Sequence, residues 1–169
     1  MIRWLILILP LCPLGCAGNH ANLADAFPPG ASASPWILTG DVWTGTFEQA
    51  APALGDEAET WRPLRPTTAW LAIYHHQQTP ARTLTARCFA FPSTKAARHA
   101  YDVLAPLDAK PFQAGNVGCW TELGVLFQQD RLVFDIFGPN PSWSNELQAA
   151  VLAAHITKRI PAGLPQDPR

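Results

Sequence analysis

The chain has 169 residues, of which 48% are hydrophobic and 15% are charged, and its formal net charge is −1. This length suits one domain with a substantial hydrophobic core. The near-neutral charge gives no basic stripe of the kind that nucleic-acid-binding proteins usually carry, so we expect no nucleic-acid partner.

The first fifteen residues have the pattern of an export signal. Arg3 supplies one positive charge, and a mostly apolar run extends from Trp4 to Leu14. A short apolar run behind a basic residue is typical of a signal peptide, and this run is too short to cross a bilayer as a helix. We therefore predict that residues 1–15 are a signal peptide and that the protein is exported.

The signal ends in Pro13-Leu14-Gly15-Cys16, which resembles the lipobox of bacterial lipoproteins. In that family a small residue precedes a cysteine that becomes lipidated and N-terminal. Gly15 and Cys16 match the pattern, whereas Pro13 stands where the family usually has an aliphatic residue. The resemblance implies lipidation of Cys16 and a membrane-anchored lipoprotein that faces the periplasm or the cell surface. The alternative is a signal that is cleaved without lipidation or is retained.

Residues 16–35 are rich in small and polar residues and contain a Pro-Pro-Gly sequence. A segment of this composition does not bury enough surface to order itself. We therefore predict a flexible tether over residues 16–35, a single folded domain over residues 36–161 and a short tail over residues 162–169. In a lipoprotein such a tether holds the domain away from the membrane.

The first half of the predicted domain contains a hairpin. Residues 36–43 suit a short strand or edge segment, and residues 56–61 suit a short helix. Residues 67–76 and 82–91 alternate in the manner of two strands, and the turn between them contains Pro80. We therefore expect this pair to form part of an antiparallel sheet.

The second half alternates helices with strands. Ser93 is a good N-cap for a helix that carries one apolar stripe and ends at Pro106. Residues 117–121 suit a strand, and residues 123–138 suit a second hairpin because two β-branched and aromatic runs flank a short polar turn. Ser142 or Ser144 begins a last helix that runs to about Ile160.

This order of elements predicts an α+β fold, in which an antiparallel sheet of about five strands has two main helices packed on one face. Over residues 61–161 the chain also resembles uncharacterised exported bacterial domains that place a helix between two pairs of strands. That resemblance is one of pattern, and it implies no activity.

The cysteine count predicts a disulfide. Signal cleavage removes Cys12 and lipidation uses Cys16, which leaves Cys88 and Cys119 in an oxidising compartment. A bond between these two residues closes a loop of about thirty residues and stabilises the fold by about 3 kcal/mol in the loop-entropy model. The alternative is two buried free thiols that behave as small apolar residues.

The sequence contains no phosphate-binding loop, dinucleotide motif or hydrolase elbow. His75 and His76 do not suggest a metal site, because adjacent strand residues point to opposite faces. Cys88 paired with a histidine would need an activating environment to be a nucleophile, and a disulfide fits the expected compartment better. We predict no catalytic residue, no metal site and no cofactor.

Two sets of residues remain as candidates. Arg87, Glu122 and Asp135 fall in predicted strands, where paired carboxylates can serve hydrolysis but solvent-facing positions or a cross-strand ion pair are simpler interpretations. The second set contains tryptophans in polar surroundings, which would bind a sugar, peptide or amine if they were exposed and would fill the core if they were not. Its members are Trp36, Trp43 and Trp61.

The preferred hypothesis is a lipid-anchored accessory, binding or assembly module of the cell envelope without catalytic activity. Its partners would be the membrane, through the lipid anchor, and an envelope protein. One alternative is a small envelope hydrolase that uses Asp135, Glu122 or a histidine. The other is a ligand-binding module that uses the exposed tryptophans.

Overall fold

The computed structural model describes residues 23–139 and 143–160, and seven strands in these ranges form one antiparallel sheet. Neighbouring strands follow the order β1-β3-β4-β7-β6-β5, and β2 pairs with β3 on the same side as β1. The strands are β1 Trp36–Leu38, β2 Trp43–Thr46, β3 Thr68–His76, β4 Thr79–Ala90, β5 Val117–Trp120, β6 Gly124–Gln129 and β7 Leu132–Phe137.

Four α-helices lie in the same ranges, and the caps of two of them explain where they begin. Thr46 and Gln49 form a reciprocal capping box that begins the first helix, although Pro52 lies inside it. Ser93 accepts a hydrogen bond from the backbone nitrogen of Ala96, which confirms the predicted N-cap. The helices are α1 Phe47–Leu54, α2 Ala58–Trp61, α3 Thr94–Leu104 and α4 Trp143–Thr157.

Both predicted hairpins are confirmed. Strands β3 and β4 are joined through Gln77 and Gln78, and strands β6 and β7 are joined through Asp130 and Arg131. Asp130 adopts a left-handed backbone conformation with φ of 51°, which aspartate tolerates better than most residues. The four strands of these hairpins occupy the central positions of the sheet, and β5 lies at the edge next to β6.

Each face of the sheet has its own hydrophobic core because side chains alternate along every strand. Helix α4 and the segment before β1 cover one face, where they pack on residues such as Phe134. Helices α1, α2 and α3 cover the other face, where they pack on residues such as Val133. We call these the α4 face and the α3 face.

The α+β class and the antiparallel sheet agree with the prediction, but two details were wrong. The sheet has seven strands rather than about five, and helices pack on both faces rather than on one. The physical reason is that the central strand β6 is apolar at consecutive positions, including Val125, Leu126 and Phe127, so both of its faces require cover.

Residues 23–35 are packed into the α4 face, so the prediction of a flexible tether over them was wrong. Leu23 and Phe27 are 3% and 1% exposed. The ring centre of Phe27 lies 6.4 Å from that of Phe134, and the Tyr74 hydroxyl donates a hydrogen bond to the carbonyl of Pro28. The average composition of the segment concealed a few apolar side chains that are sufficient to dock it.

The predicted disulfide was also wrong, because Cys88 and Cys119 are buried free thiols. Cys88 lies in the core of the α4 face and Cys119 in that of the α3 face. Strands β7 and β6 separate their strands, so the two residues are about 14 Å apart at the usual strand spacing. A disulfide requires α-carbons within about 7 Å. The alternative of two buried thiols is confirmed.

The predicted signal peptide, Cys16, the first part of the tether and the tail over residues 162–169 lie outside the described residues. Within the described ranges, no helix is both long enough and apolar enough to cross a membrane.

Candidate functional site

A cavity of about 360 Å³ opens on the α3 face, between α2, the end of α3 and the loop from β5 to β6. We call it the Arg87 pocket. Its apolar lining consists of Trp61, Leu104, Pro106, Leu123, Leu126 and Phe137. Its polar lining consists of Glu57, Thr60, Arg87, Thr121, Glu122 and Asp135.

The register of four strands builds the floor of this pocket. Arg87 in β4 stands opposite Asp135 in β7, Asp135 stands opposite Leu126 in β6, and Leu126 stands opposite Cys119 in β5. Residues that oppose each other directly project to the same face of a sheet. The two hairpins therefore bring Arg87 and Asp135 side by side, although they are far apart in the sequence.

Arg87 connects the sheet to α2. Its Nε and Nη2 atoms donate to Asp135 Oδ2 at 2.9 and 2.7 Å, and Nη2 also donates to Glu57. Its guanidinium carbon lies 4.6 Å from the ring centre of Phe137 and 5.6 Å from that of Trp61. With only 6% of the residue exposed, the guanidinium is held by two carboxylates and two aromatic rings.

The pocket carries more negative than positive charge. Three of its lining residues, Glu57, Glu122 and Asp135, have carboxyl groups, whereas Arg87 is the one basic residue in the described lining. Burial raises the pKa of the Asp135 carboxyl above its usual value, against the opposing effect of Arg87. Burial alone would lower the pKa of Arg87, but Asp135 and Glu57 outweigh it and raise that pKa.

The structure does not bring the three candidate tryptophans together. Trp36 is fully buried, and its Nε1 donates to Gln148 Oε1 at 3.0 Å. Trp61 is 2% exposed, and its ring centre lies 4.1 Å from that of Phe89. Only an edge of the Trp61 ring can therefore line the pocket. Trp43, at 39% exposed, is the one member of the set with substantial solvent contact. Of the two interpretations that the sequence left open, Trp36 and Trp61 therefore follow the core interpretation, and Trp43 is the exposed member of the set.

The acidic and basic candidates from the sequence do converge. Arg87, Glu122 and Asp135 all line the same pocket. Glu122 lies in the loop between β5 and β6 rather than in a strand as predicted. Glu57 was missed by the sequence analysis, and its one signal was the acidic run that precedes Trp61.

The histidines and cysteines provide no obvious catalytic group in the pocket. The described lining contains no histidine. His75 Nδ1 lies 2.8 Å from the Thr39 hydroxyl, and the His76 ring packs edge-on against Trp36. Burial raises the pKa of the Cys88 and Cys119 thiols, which keeps both protonated at neutral pH. Among the described residues, no three histidine, cysteine, aspartate or glutamate side chains are placed so that together they could hold a metal ion.

No protein-family model matches the chain, and no curated protein is significantly similar to it. The function must therefore be argued from the pocket. The pocket can enclose the apolar part of a ligand and bring a positive charge on that ligand near its carboxylates. The Arg87 guanidinium is already paired with Asp135 and Glu57, so it is not available to the ligand.

Proposed function

We propose that this protein is a lipid-anchored binding module of the cell envelope without catalytic activity, and that the Arg87 pocket is its binding site. The ligand that suits the pocket has an apolar body and a positive charge. The observation that carries the proposal is a cavity that six apolar residues, three carboxyl groups and one guanidinium line.

The way in which the polar groups are paired supports binding rather than catalysis. Asp135 and Glu57 both accept hydrogen bonds from Arg87. Hydrogen bonds from a guanidinium stabilise the charged form of a carboxylate, so Asp135 and Glu57 are less available as a base or nucleophile than free carboxylates are. The described lining contains no histidine, lysine or cysteine that could take either role in their place.

The charge and size of the pocket support the class of ligand. The Glu57 side chain is 54% exposed and Glu122 is exposed, so both can meet a charge that enters from solvent. Trp61, Leu104 and Leu126 offer apolar contact deeper in the cavity. A volume of about 360 Å³ is at the lower end of the range of small-molecule sites. A lysine or arginine side chain of an envelope protein has this chemistry, and so does a free hydrophobic amine.

Three matched probes test the binding site: 4-phenylbutylamine, 4-phenylbutan-1-ol and 4-phenylbutanoate, which share a body and differ in charge. Titration of each into the isotope-labelled protein, followed by NMR, should show the amine binding most tightly and shifting the resonances of Trp61 and Leu126. The substitution Glu122→Gln should weaken the amine about 2- to 5-fold, as expected for an exposed ion pair, and leave the alcohol unchanged.

The control is Asp130→Asn, which removes the same charge from the hairpin turn at a position where asparagine tolerates the left-handed backbone. This variant should bind the amine as the natural protein does. Equal affinity for the three probes would show that charge does not select the ligand. Binding that shifts resonances elsewhere in the domain would remove the pocket from the proposal.

The anchor is tested by the intact mass of the protein purified from the membranes of a bacterial host. Cleavage before Cys16 together with added acyl chains is the expected result. A mass that corresponds to cleavage without acyl chains, or to a retained signal, would contradict the lipid anchor while leaving the pocket to be judged on its own.

One observation favours a hydrolase as the second candidate: Asp135, whose carboxyl pKa burial raises, shares a cavity with Glu122. A carboxyl group with a perturbed pKa in a cleft is a feature of many catalytic sites. A panel of nitrophenyl glycosides and esters tests it directly. Turnover that disappears in both Asp135→Asn and Glu122→Gln, while the variants remain folded, would favour the hydrolase over the binding module.

A further inference from the structure

We infer, on the basis of the proposed binding site, that the ligand of the Arg87 pocket is an extended segment of another polypeptide rather than a free amine. A lysine or arginine of that segment enters the pocket, and a large apolar residue two positions along it lies on the sheet beside the pocket. The apolar surface that receives the second residue consists of Ile37, Trp43 and Ile73, and we call it the Ile73 surface.

The helices of the α3 face leave this part of the sheet uncovered. Ala69 and Phe89 oppose each other on β3 and β4, and both are fully buried in the core beneath α1, α2 and α3. Ile73 and Thr85 oppose each other four residues farther along the same strands, which is about 13 Å away. There Ile73 is 52% exposed. The α3 face is therefore closed at one end of these strands and open to solvent at the other.

Apolar side chains gather at the open end. Ile73 has two diagonal neighbours on its own face of the sheet: Trp43, which opposes Leu71, and Ile37, which opposes His75. Diagonal neighbours lie about 7–8 Å apart, within reach of large side chains. Trp43 is 39% exposed and Ile37 is half-buried. Exposed apolar side chains that adjoin one another in this way are typical of a surface that binds a partner.

The Ile73 surface is continuous with the pocket. Phe137 lines the pocket and opposes Thr85, and Thr85 opposes Ile73, so Ile73 lies two strands, or about 10 Å, from Phe137. Alternate side chains of an extended peptide project to one side about 7 Å apart. A peptide whose basic residue enters the pocket beside Phe137 therefore places the residue two positions along over Thr85 and against Ile73. A free amine that fills the pocket would leave this surface in water.

The charges at the pocket select among the possible occupants. The Glu57 side chain is 54% exposed and Glu122 is exposed, and both line the pocket. Their carboxylates attract a lysine or arginine side chain and repel the anionic headgroups of a membrane surface. A twofold pair of copies joined through this surface would bring two acidic pockets together, which like charges oppose. A different polypeptide that carries a basic residue meets neither obstacle.

Four acetylated and amidated peptides test the inference by NMR titration of the isotope-labelled protein: Gly-Lys-Ser-Phe-Gly, Gly-Lys-Phe-Ser-Gly, Gly-Lys-Ser-Ala-Gly and Gly-Gln-Ser-Phe-Gly. The first should bind about 3- to 5-fold more tightly than the second and third, as expected for one added apolar contact. It should shift the resonances of Ile73 as well as those of Trp61. The second peptide has the same composition, but its adjacent lysine and phenylalanine project to opposite sides. The fourth lacks the charge and should bind more weakly than the first.

The substitution Ile73→Thr removes the apolar contact and keeps a β-branched residue at an exposed strand position. It should weaken the first peptide about 3- to 5-fold. This loss should not add to the loss from replacing the phenylalanine of the peptide by alanine, because both changes remove the same contact. The matched control is Val103→Thr on α3, 55% exposed, which should leave the affinity for the first peptide unchanged.

Equal affinity for the first two peptides, or additive losses with Ile73→Thr, would overturn the inference. Selective binding of 4-phenylbutylamine in the pocket would still support the proposed function in that case. If the glutamine peptide bound as tightly as the first, the pocket would not receive the basic residue and both would fail. Sedimentation velocity and flotation with phosphatidylglycerol vesicles test the other occupants. Self-association or vesicle binding that Ile73→Thr abolishes would assign the Ile73 surface to a second copy or to a membrane and overturn the inference.

Discussion

Arg87 and Asp135 stand directly opposite each other on the antiparallel strands β4 and β7, and two nitrogens of Arg87 donate to one oxygen of Asp135. The cross-strand ion pair that the sequence left open as an alternative is confirmed for these two residues. The pair joins the two hairpins, and Glu57 extends it to α2. A buried charge held by its neighbours makes the fold sensitive to the loss of any single member.

The substitution Arg87→Met should lower the free energy of unfolding by about 3 kcal/mol, because Asp135 and Glu57 would then face each other without a guanidinium between them. The double substitution Arg87→Met with Asp135→Leu should restore most of this loss, since it leaves no unpaired buried charge. Urea unfolding of the three proteins measures both effects. Arg98→Met, which removes an exposed pair with Asp102, should cost less than about 1 kcal/mol. Equal losses in the single and double variants would contradict the prediction.

The two tyrosines should make the protein unstable in alkali. Burial raises the pKa of both Tyr74 and Tyr101 above the usual 10.0. The folded state therefore keeps protons that the unfolded state loses, so this contribution to stability is complete below about pH 10 and declines above it. Each tyrosine should lower the free energy of unfolding by about 1.4 kcal/mol per pH unit in that range.

The ultraviolet absorbance of tyrosinate measures this effect. It should remain flat until the circular dichroism shows unfolding. Tyr74→Phe should reduce the alkaline slope of stability by about a quarter, because Tyr101 and the buried thiols of Cys88 and Cys119 contribute to that slope in the same way. Gradual ionisation of both tyrosines in a protein that keeps its native spectrum near pH 10 would contradict the prediction.

Local signals were sufficient for much of the fold. The hairpins β3–β4 and β6–β7 could be predicted because alternation and turn residues lie within a few positions of each other, and Ser93 could be predicted because a cap acts within one turn. Helix α1 was missed because Pro52 and Gly55 are local breakers. The capping box at Thr46 and the burial of Phe47 stabilise it nonetheless, which is tertiary packing overriding propensity.

The site could be predicted only in part. Arg87, Glu122 and Asp135 were recognised as candidates by residue type, but their convergence depends on the pairing of β4 with β7, which joins residues 48 positions apart. No feature of the nearby sequence indicates the register of β4 with β7 or the approach of Glu57 to Arg87. The cysteine prediction failed for a similar reason, because counting thiols does not reveal which face of the sheet each one occupies.

The thiols allow a direct test of that face assignment. In the chain that begins at residue 17, neither Cys88 nor Cys119 should react with a thiol reagent while the protein is folded, because both are buried and burial raises the pKa of each. Both should react once the protein is unfolded in guanidinium without a reductant. A protein that exposes no reactive thiol when it is unfolded contains the disulfide, and the strand order around β6 and β7 would then need revision.

A substitution at Phe27 tests whether residues 23–35 are docked on the domain or form a flexible tether. Its side chain is 1% exposed and lies against Phe134, so Phe27→Ala should lower the free energy of unfolding by about 3–5 kcal/mol, the usual cost of removing a buried phenylalanine. Ser32→Ala, an exposed position of the same segment, should change it by less than about 0.5 kcal/mol. Denaturant unfolding compares the two. If Phe27→Ala had as small an effect as Ser32→Ala, the segment would not be docked on the domain, and the prediction of a flexible tether over these residues would be right.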